Sequence, residues 1–467
     1  MSRNSLVVVL LVLVAMSGCA RPGDQPGEPA PVHPETAAAE CQPPGSGAQP
    51  ARGARRGTLV EQALRPVQAP AAARLPSASV SGDPGRGWHV QSAIELSGCP
   101  VSGLWDVSAD ETAYVVLECV EGCEPDEAVL VAADMKLGDV LWALRVDDRL
   151  ELQRVLRVPE GPLLLCGSQV VALDPATGAV LYRTDVNPLD RDWGATGAWA
   201  LCPRGLLYLG AQNLLLLDPI TGGELWRVDL GGTGYQKTYS APAVTADAAY
   251  VISDGPDGVE RHLWAVDLAS GDVAWHRAVG SILSFEDQLE TWLGGCAATA
   301  EAVACLHYTT TYWYRDAPGD PTPVLRCFSA DSGDELWSRP LPSLPDGWGG
   351  EIAPPLAAGG LVFVGLRDTE AAAFGMADGT DLGRASALPV GELTGRIACP
   401  IRAGTRAGLT LLSPHNLTRL GEIVVGLAQG PNDYWASVSL KDDRLVAIGR
   451  NRPEYQKSET VIIVAAP

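Results

Sequence analysis

The segment Leu216-Leu-Asp218-Pro-Ile-Thr221-Gly222-Gly-Glu-Leu-Trp226 decides the fold of this chain, because copies of it return along the sequence. Four clear copies run from Ala132 to Trp142, Ala172 to Tyr182, Ala265 to Trp275 and Cys327 to Trp337, and a decayed one runs from Ala373 to Gly379. Each copy has the pattern of a strand, a tight turn and a second strand. A period of roughly forty residues with this content predicts a β-propeller with one copy in each blade.

Each position of the repeat has a structural interpretation. The Asp and Thr side chains accept hydrogen bonds from turn amides, and the Gly tolerates a positive φ. The large ring four residues after the Gly fills the gap to a neighbouring blade, and its polar hydrogen still needs an acceptor. We therefore expect blade-to-blade docking by Trp142, Tyr182, Trp226, Trp275 and Trp337, together with Gly138, Gly178, Gly222, Gly271 and Gly333.

The flanking strands predict the number of blades. An eroded seventh unit lies near residues 408–425, and three further predicted strands, at 434–440, 444–449 and 460–465, lack a fourth. The strand predicted at 89–96 has no blade of its own, so we expect it to complete the last blade and close the ring, which removes exposed sheet edges. The prediction is an all-β propeller of eight four-stranded antiparallel blades over residues 88–467, with seven blades as the alternative.

The repeat spacing resembles the tryptophan-docking repeats of the pyrroloquinoline-quinone-like propeller superfamily. That superfamily includes quinoprotein alcohol dehydrogenases and the lipoprotein B subunit of the outer-membrane barrel-assembly machinery, so the resemblance implies a fold that hosts enzymes and scaffolds alike. It covers roughly residues 88–467. The layout of anchor, tether and eight-bladed ring is similar to that of the lipoprotein, although the tether is longer here and cysteines are abundant.

The N-terminus has the pattern of a bacterial lipoprotein signal, here residues 1–18. Arg3 is followed by an apolar run and then by Met16-Ser-Gly-Cys19, which resembles a lipobox and implies lipid on the Cys19 thiol. An ordinary signal peptide or a membrane anchor is the alternative, although the run is short for a span. Ala20 follows Cys19, which implies the outer membrane, facing the periplasm, in a double-membraned cell, and otherwise the outer face of the cell membrane.

Composition predicts how the rest of the chain behaves. Residues 19–87 are rich in Pro, Ala, Gly and Glu, which predicts a disordered tether. The chain has 34 Lys+Arg against 56 Asp+Glu, a net charge of −22. This charge disfavours nucleic acid as a partner and disfavours contact with anionic membranes except through the lipid anchor. We expect a monomeric propeller.

Ten cysteines remain of the 11 when Cys19 is set aside. An even number in an exported chain permits disulfides. If Ala300-Glu301 is a hairpin turn, Cys296 and Cys305 lie opposite each other on adjacent strands and form a possible disulfide. Other cysteines, such as Cys166, have the alternative role of small buried hydrophobic residues.

The sequence contains no recognisable catalytic, cofactor-binding or metal-binding motif. It has no adjacent Cys-Cys pair of the kind found in quinoprotein dehydrogenases, and its six histidines form no metal-spaced pair. No nucleophile elbow, phosphate-binding loop or dinucleotide fingerprint is present. We therefore expect a protein that is not an enzyme and needs no cofactor.

Aromatic residues outside the repeat positions concentrate in the loops that join blades and in the loops between the second and third strands of a blade, which emerge on the same side of a propeller. Exposed Trp and Tyr are common anchors of recognition surfaces. We expect these residues to form an aromatic loop face that binds an envelope protein or a glycan: Trp193, Tyr235, Tyr239, Tyr312, Trp313, Tyr314 and Trp348. The alternative is that the loops fold back and pack their own aromatic residues.

Three functional hypotheses follow. The first is a membrane-anchored, non-catalytic interaction scaffold of the bacterial cell envelope. The second is a carbohydrate-binding or sensory module of the envelope, and the third is a quinoprotein dehydrogenase.

Overall fold

A computed structural model describes residues 64–75, 78–82, 87–118, 120, 128–146, 150, 152–167, 169–186, 198–210, 213–231, 241–254, 260–281, 283–284, 289–311, 323–341, 354–367, 370–403, 406–427, 434–454 and 457–467. These residues form eight antiparallel sheets, which are the blades of a propeller. Both the all-β prediction and the count of eight blades are confirmed.

The first four blades hold the clearest copies of the repeat. Blade 1 contains β5 (Cys99–Val107), β6 (Thr112–Glu118), β7 (Ala128–Asp134) and β8 (Asp139–Val146). Blade 2 contains β9 (Arg154–Arg157), β10 (Leu163–Cys166), β11 (Gln169–Leu173) and β12 (Val180–Asp185). Blade 3 contains β13 (Ala198–Cys202), β14 (Gly205–Leu209), β15 (Asn213–Leu217) and β16 (Glu224–Asp229). Blade 4 contains β17 (Ala243–Val244), β18 (Ala248–Asp254), β19 (Glu260–Asp267) and β20 (Val273–Ser281).

The remaining blades include the eroded repeats. Blade 5 contains the short β21 (Leu283–Ser284), then β22 (Leu289–Ala298), β23 (Ala302–Thr311), β24 (Val324–Ser329) and β25 (Glu335–Pro340). Blade 6 contains β26 (Leu356–Ala358), β27 (Leu361–Arg367), β28 (Glu370–Gly375) and β29 (Asp381–Ala385). Blade 7 contains β30 (Gly391–Leu393), β31 (Arg396–Ala403), β32 (Arg406–Leu412) and β33 (Arg419–Leu427). Blade 8 contains β34 (Tyr434–Lys441), β35 (Arg444–Glu454), β36 (Lys457–Ala466) and β4 (His89–Ser97).

The ring closes through β4, which joins the three C-terminal strands as the fourth strand of blade 8. It pairs antiparallel with β36, with Ile94 opposite Ile462 and Leu96 opposite Thr460. This confirms the prediction that the N-terminal strand closes the ring. Because the two ends of the propeller are held in one sheet, opening the ring requires breaking this strand pair.

Three short strands precede β4 and lie on the outer edges of three blades. We call β1 (Leu64–Pro66), β2 (Ala72–Arg74) and β3 (Ala78–Gly82) the strap. They pair with β8 of blade 1, β4 of blade 8 and β33 of blade 7 respectively. The predicted tether therefore extends too far, because residues 64–82 include strands whose backbone groups are satisfied by sheet edges rather than by water. Residues 1–63 lie outside the described part of the chain.

The core is divided among the interfaces between blades. Eight apolar clusters of described residues each combine side chains of two adjacent blades, including the interface between blades 8 and 1, where Ile94 and Val464 pack with Val115 and Val131. Inner strands such as β10 are buried on both faces, which explains their continuous apolar sequences. Stability therefore comes from contacts between successive blades, and the strand ends and loops are left to form surfaces.

Candidate interaction surface

The aromatic residues of the repeat lie against the glycine of the next blade. The indole of Trp275 in blade 4 covers Gly333 of blade 5, where a Cβ would come within 2.6 Å of ring atoms Cδ2 and Cε3. Its Nε1 donates a 2.8 Å hydrogen bond to the Ala330 carbonyl. Gly333 has a φ of 69°, so it supplies both the left-handed turn and the space for the ring.

The same contact recurs at four other interfaces. The ring contacts join Trp142 to Gly178, Tyr182 to Gly222, Trp226 to Gly271 and Trp337 to Gly379. The matching hydrogen bonds run from Trp142 to the Pro175 carbonyl, from Tyr182 to Pro219, from Trp226 to Leu268 and from Trp337 to Met376, at 2.8–3.1 Å. The five contacts link blades 1 to 6 in succession.

The turn carboxylates of the repeat serve as backbone acceptors. The Asp174 carboxylate accepts hydrogen bonds from the Ala176 and Thr177 amides at 2.9 Å. The amide of Thr177 is the largest influence that lowers the pKa of Asp174, and the Ile220 amide does the same for Asp218. The turn amides therefore stabilise the ionised form of these carboxylates.

The strap completes the interface at which the ring closes. Gly138 of blade 1 has a φ of 77°, and the side chain of Arg74 from β2 lies where the other repeats place an aromatic ring. Blade 8 has no docking residue because its outer strand comes from the N-terminal side of the propeller. The aliphatic part of Arg74 takes that place.

At the interface between blades 6 and 7, the docking position of the repeat holds a small residue and the turn position holds a large one. Gly383 stands in blade 6 where other blades have the docking ring, and Leu417 stands in blade 7 where they have glycine. Leu417 keeps the turn geometry, with a φ of 55°, and packs on the apolar cluster between the two blades. This interface therefore lacks the contact between ring and glycine that joins blades 1 to 6.

A partly buried ion pair joins the inner strands of two blades, and a hydrogen bond extends the contact to a third; it was not predicted from the sequence. Asp106 of β5 pairs with the Lys441 ammonium group of β34, and its Oδ2 accepts a 2.7 Å hydrogen bond from the Arg157 amide of β9. Blades 8, 1 and 2 therefore share one carboxylate. No signal within a single repeat marks this residue, because its partners are distant in the chain.

The residues predicted for the aromatic loop face, Trp193, Tyr235, Tyr239, Tyr312, Trp313, Tyr314 and Trp348, lie outside the described residues, as does Cys19. The described strands do locate the ends of their loops. β23 ends at Thr311 and β24 begins at Val324, so Tyr312, Trp313 and Tyr314 belong to the segment that joins these two strands of blade 5. The loop containing Trp348 joins β25 to β26, that is, blade 5 to blade 6.

A second surface lies on the outermost strands of the blades, and we call it the outer rim. We define it by exposed leucines, each of which comes immediately before a docking aromatic residue. Leu181, Leu225 and Leu336 are 47–54% exposed. Among the described residues, no further strand pairs with the outer edges of blades 2 to 6, whereas the strap covers those of blades 1, 7 and 8. Sequence reasoning missed this surface, although the recurring Leu-Trp dipeptide marks it.

The cysteines of the described residues are buried free thiols. Burial raises the pKa of the Cys166 thiol and raises the pKa of Cys399 to about 12. Cys296 and Cys305 are opposite each other in register, as expected, and burial raises the pKa of both thiols. Both are free thiols in the structure.

No helix in the described ranges has the length and apolar character of a membrane span.

Comparisons with known proteins place this geometry among related folds. Residues 167–298, from the third strand of blade 2 into blade 5, match the family described as outer membrane protein assembly factor BamB. BamB from Moraxella catarrhalis is 14% identical, with a TM-score of 0.46 over 81% of this chain and 100% of that one. A europium-containing methanol dehydrogenase is 11% identical, with a TM-score of 0.43 over 78% and 93%. The quinohemoprotein alcohol dehydrogenase of Comamonas testosteroni is 13% identical, with a TM-score of 0.37 over 76% and 78%. No curated protein matches the chain significantly.

Proposed function

We propose that this protein is a non-catalytic interaction scaffold of the bacterial cell envelope, held at a membrane by lipid on Cys19, and that it binds a protein partner through the aromatic loop face. The observation that carries the proposal is the match of residues 167–298 to an outer-membrane assembly-factor family. This region contains Trp193, Tyr235 and Tyr239 in its loops.

The interblade contacts support this proposal physically. Successive blades are fixed by docked rings with satisfied hydrogen bonds, so the loops extend from a base that moves little. A rigid base lowers the conformational entropy that is lost on binding and so favours recognition by loop side chains.

The test is crosslinking and affinity purification of the lipidated, full-length protein from its native membrane. We expect specific envelope proteins to co-purify with the wild type and to be lost from the Tyr312→Ala/Trp313→Ala variant. The matched control is Leu181→Ser/Leu225→Ser, which alters the outer rim and not the loops. Loss of partners only in the rim variant would place binding on the outer strands and refute the loop face.

The alternative functions give different outcomes in the same preparation. A carbohydrate-binding or sensory module would retain polysaccharide in an aromatic-dependent way and yield the same proteins from wild type and variant. A quinoprotein dehydrogenase would show quinone absorbance and dye-linked alcohol oxidation. Either result without specific protein partners would replace the scaffold proposal.

The membrane anchor has its own test. We expect labelled fatty acid to be incorporated into the wild type and not into Cys19→Ser, and we expect the variant to leave the membrane fraction. Unchanged labelling of the variant would refute lipidation at this thiol.

A further inference from the structure

The structure brings together two histidines that are 14 residues apart in the sequence. His262 lies on β19 and His276 on β20, and their Nδ1 atoms are 2.9 Å apart. The two strands pair so that Trp264 is directly opposite His276, which places His262 diagonally across from it. Their spacing along the chain does not mark the two histidines as a pair, because sheet register brings them together.

An aromatic ring packs against the histidine pair. The Trp264 ring stacks on His276, with centroids 4.6 Å apart and planes 20° apart. Burial is the main cause that lowers the pKa of His276 from its ordinary value. Trp264 itself is 7% exposed, and its Nε1 is buried without a hydrogen-bond partner.

A carboxylate lies near the second ring. Oε2 of Glu260 lies 3.6 Å from Nε2 of His262, on the side of the ring opposite to His276. A carboxylate near one imidazole nitrogen favours the proton on that nitrogen and leaves the lone pair of the other nitrogen available. The same arrangement of carboxylate, histidine and metal is common in metal sites, where it fixes the tautomer and raises the basicity of the ligand.

The distance between the nitrogens matches a particular coordination geometry. Two nitrogens about 2.0–2.1 Å from one metal ion are about 2.9 Å apart when the angle at the metal is about 90°, and about 3.3 Å apart at a tetrahedral angle. Right angles between nitrogen ligands are typical of Cu²⁺ and Ni²⁺. The 2.9 Å separation of the two Nδ1 atoms therefore fits adjacent ligands of such an ion.

We propose that His262 and His276 form a binding site for a divalent transition-metal ion, with Cu²⁺ preferred, on the face of blade 4 that packs toward blade 3. Both Nδ1 atoms coordinate the ion, Glu260 orients His262, and solvent supplies the remaining ligands. The hydrogen that the pair shares moves to Nε2 of its own ring, so binding needs no net loss of protons. Among the described residues no group of three or more His, Cys, Asp or Glu side chains is arranged to hold a metal. The site therefore rests on this pair.

The test is titration of the full-length protein with Cu²⁺ chloride, followed by electron paramagnetic resonance. We expect one equivalent to bind with two nitrogen ligands and to quench part of the tryptophan fluorescence. His262→Ala and His276→Ala should each weaken binding at least tenfold, and Glu260→Gln by about tenfold, at the lower end of the 10- to 100-fold effect typical of such carboxylates. Trp264→Phe should retain the spectrum and lose the quenching.

His415→Ala is the matched control, because His415 is an exposed histidine in the turn of blade 7. His276→Gln keeps a hydrogen-bonding side chain and separates loss of a ligand from loss of folding, provided that its melting temperature equals that of the wild type. Binding of one equivalent with unchanged affinity in both His→Ala variants, or no bound ion in the wild type, would overturn the proposal. Neither result depends on whether the protein is a scaffold.

Discussion

Gly333→Ala tests whether docking between blades, rather than turn geometry alone, requires glycine. At a φ of 69°, alanine costs about 1–2 kcal/mol of backbone strain. In addition, its Cβ would lie 2.6 Å from two atoms of the Trp275 ring, well inside the ordinary contact distance of about 3.5–4 Å. The ring is buried and held by its hydrogen bond to Ala330, so overpacking adds about 1–3 kcal/mol.

Gly395→Ala is the matched control for the strain term. Gly395 has a φ of 72°, and no atom outside its own chain neighbours lies within 4 Å of an added Cβ. We expect it to lower the free energy of unfolding by about 1–2 kcal/mol, and Gly333→Ala by about 2–5 kcal/mol. The assay is guanidinium denaturation monitored by far-ultraviolet circular dichroism. This signal reports the loss of the strands in each glycine variant and in variants that lack Trp275.

A double-mutant cycle with Trp275→Ala completes the test. Trp275→Ala alone should cost about 3–5 kcal/mol through the lost ring. In that background the clash is absent, so Gly333→Ala should cost only the strain of about 1–2 kcal/mol. Equal costs for Gly333→Ala and Gly395→Ala, or an unchanged cost of Gly333→Ala without the tryptophan, would refute the docking explanation.

Three further predictions concern other described contacts. Burial lowers the pKa of His307 to about 4, below its unfolded value of about 6.5, so the unfolded state binds its proton first and stability falls by up to about 3 kcal/mol as pH drops from 6.5 to 4. His307→Gln should flatten the pH dependence of the unfolding free energy in this window, and an unchanged slope would contradict this assignment. Because burial raises the pKa of Cys296 and Cys305, glutathione disulfide should leave both thiols reduced in the folded protein and link them only in denaturant, with two molecules of glutathione released for each disulfide formed. Mass spectrometry of a peptide digest should detect the linked pair only after denaturation, and a linked pair formed in the folded protein would contradict this. Arg74→Ala should lower the melting temperature more than Arg65→Ala on the same strap, because only Arg74 covers a repeat glycine, and equal shifts by calorimetry would show that this contact is dispensable.

Much of the fold was predictable because a propeller repeats a local pattern. The aspartate, glycine and aromatic residue of each copy act within one turn or on the adjacent blade, so their spacing in the sequence is enough to predict that they make contacts there. The strand at 89–97 could be assigned to the last blade by counting, since a three-stranded final blade would leave an edge unpaired. The strap was less predictable, because short strands such as Ala72–Arg74 carry little periodicity and depend on edges formed elsewhere.

The sequence by itself determined the architecture, the ring positions such as Trp275 that dock one blade on another, and the register that sets Cys296 opposite Cys305. Each of these depends on local period or on the nearest blade. The structure added that the Trp275 ring covers Gly333 of the next blade. Only the tertiary structure decided that Arg74 fills the closing interface, that Asp106 joins three blades, and that His262 meets His276. The contacts of Arg74 and Asp106 depend on ring closure, which brings chain segments hundreds of residues apart into one sheet. The contact between His262 and His276 depends on the β-bulges that set which side chains face each other across β19 and β20.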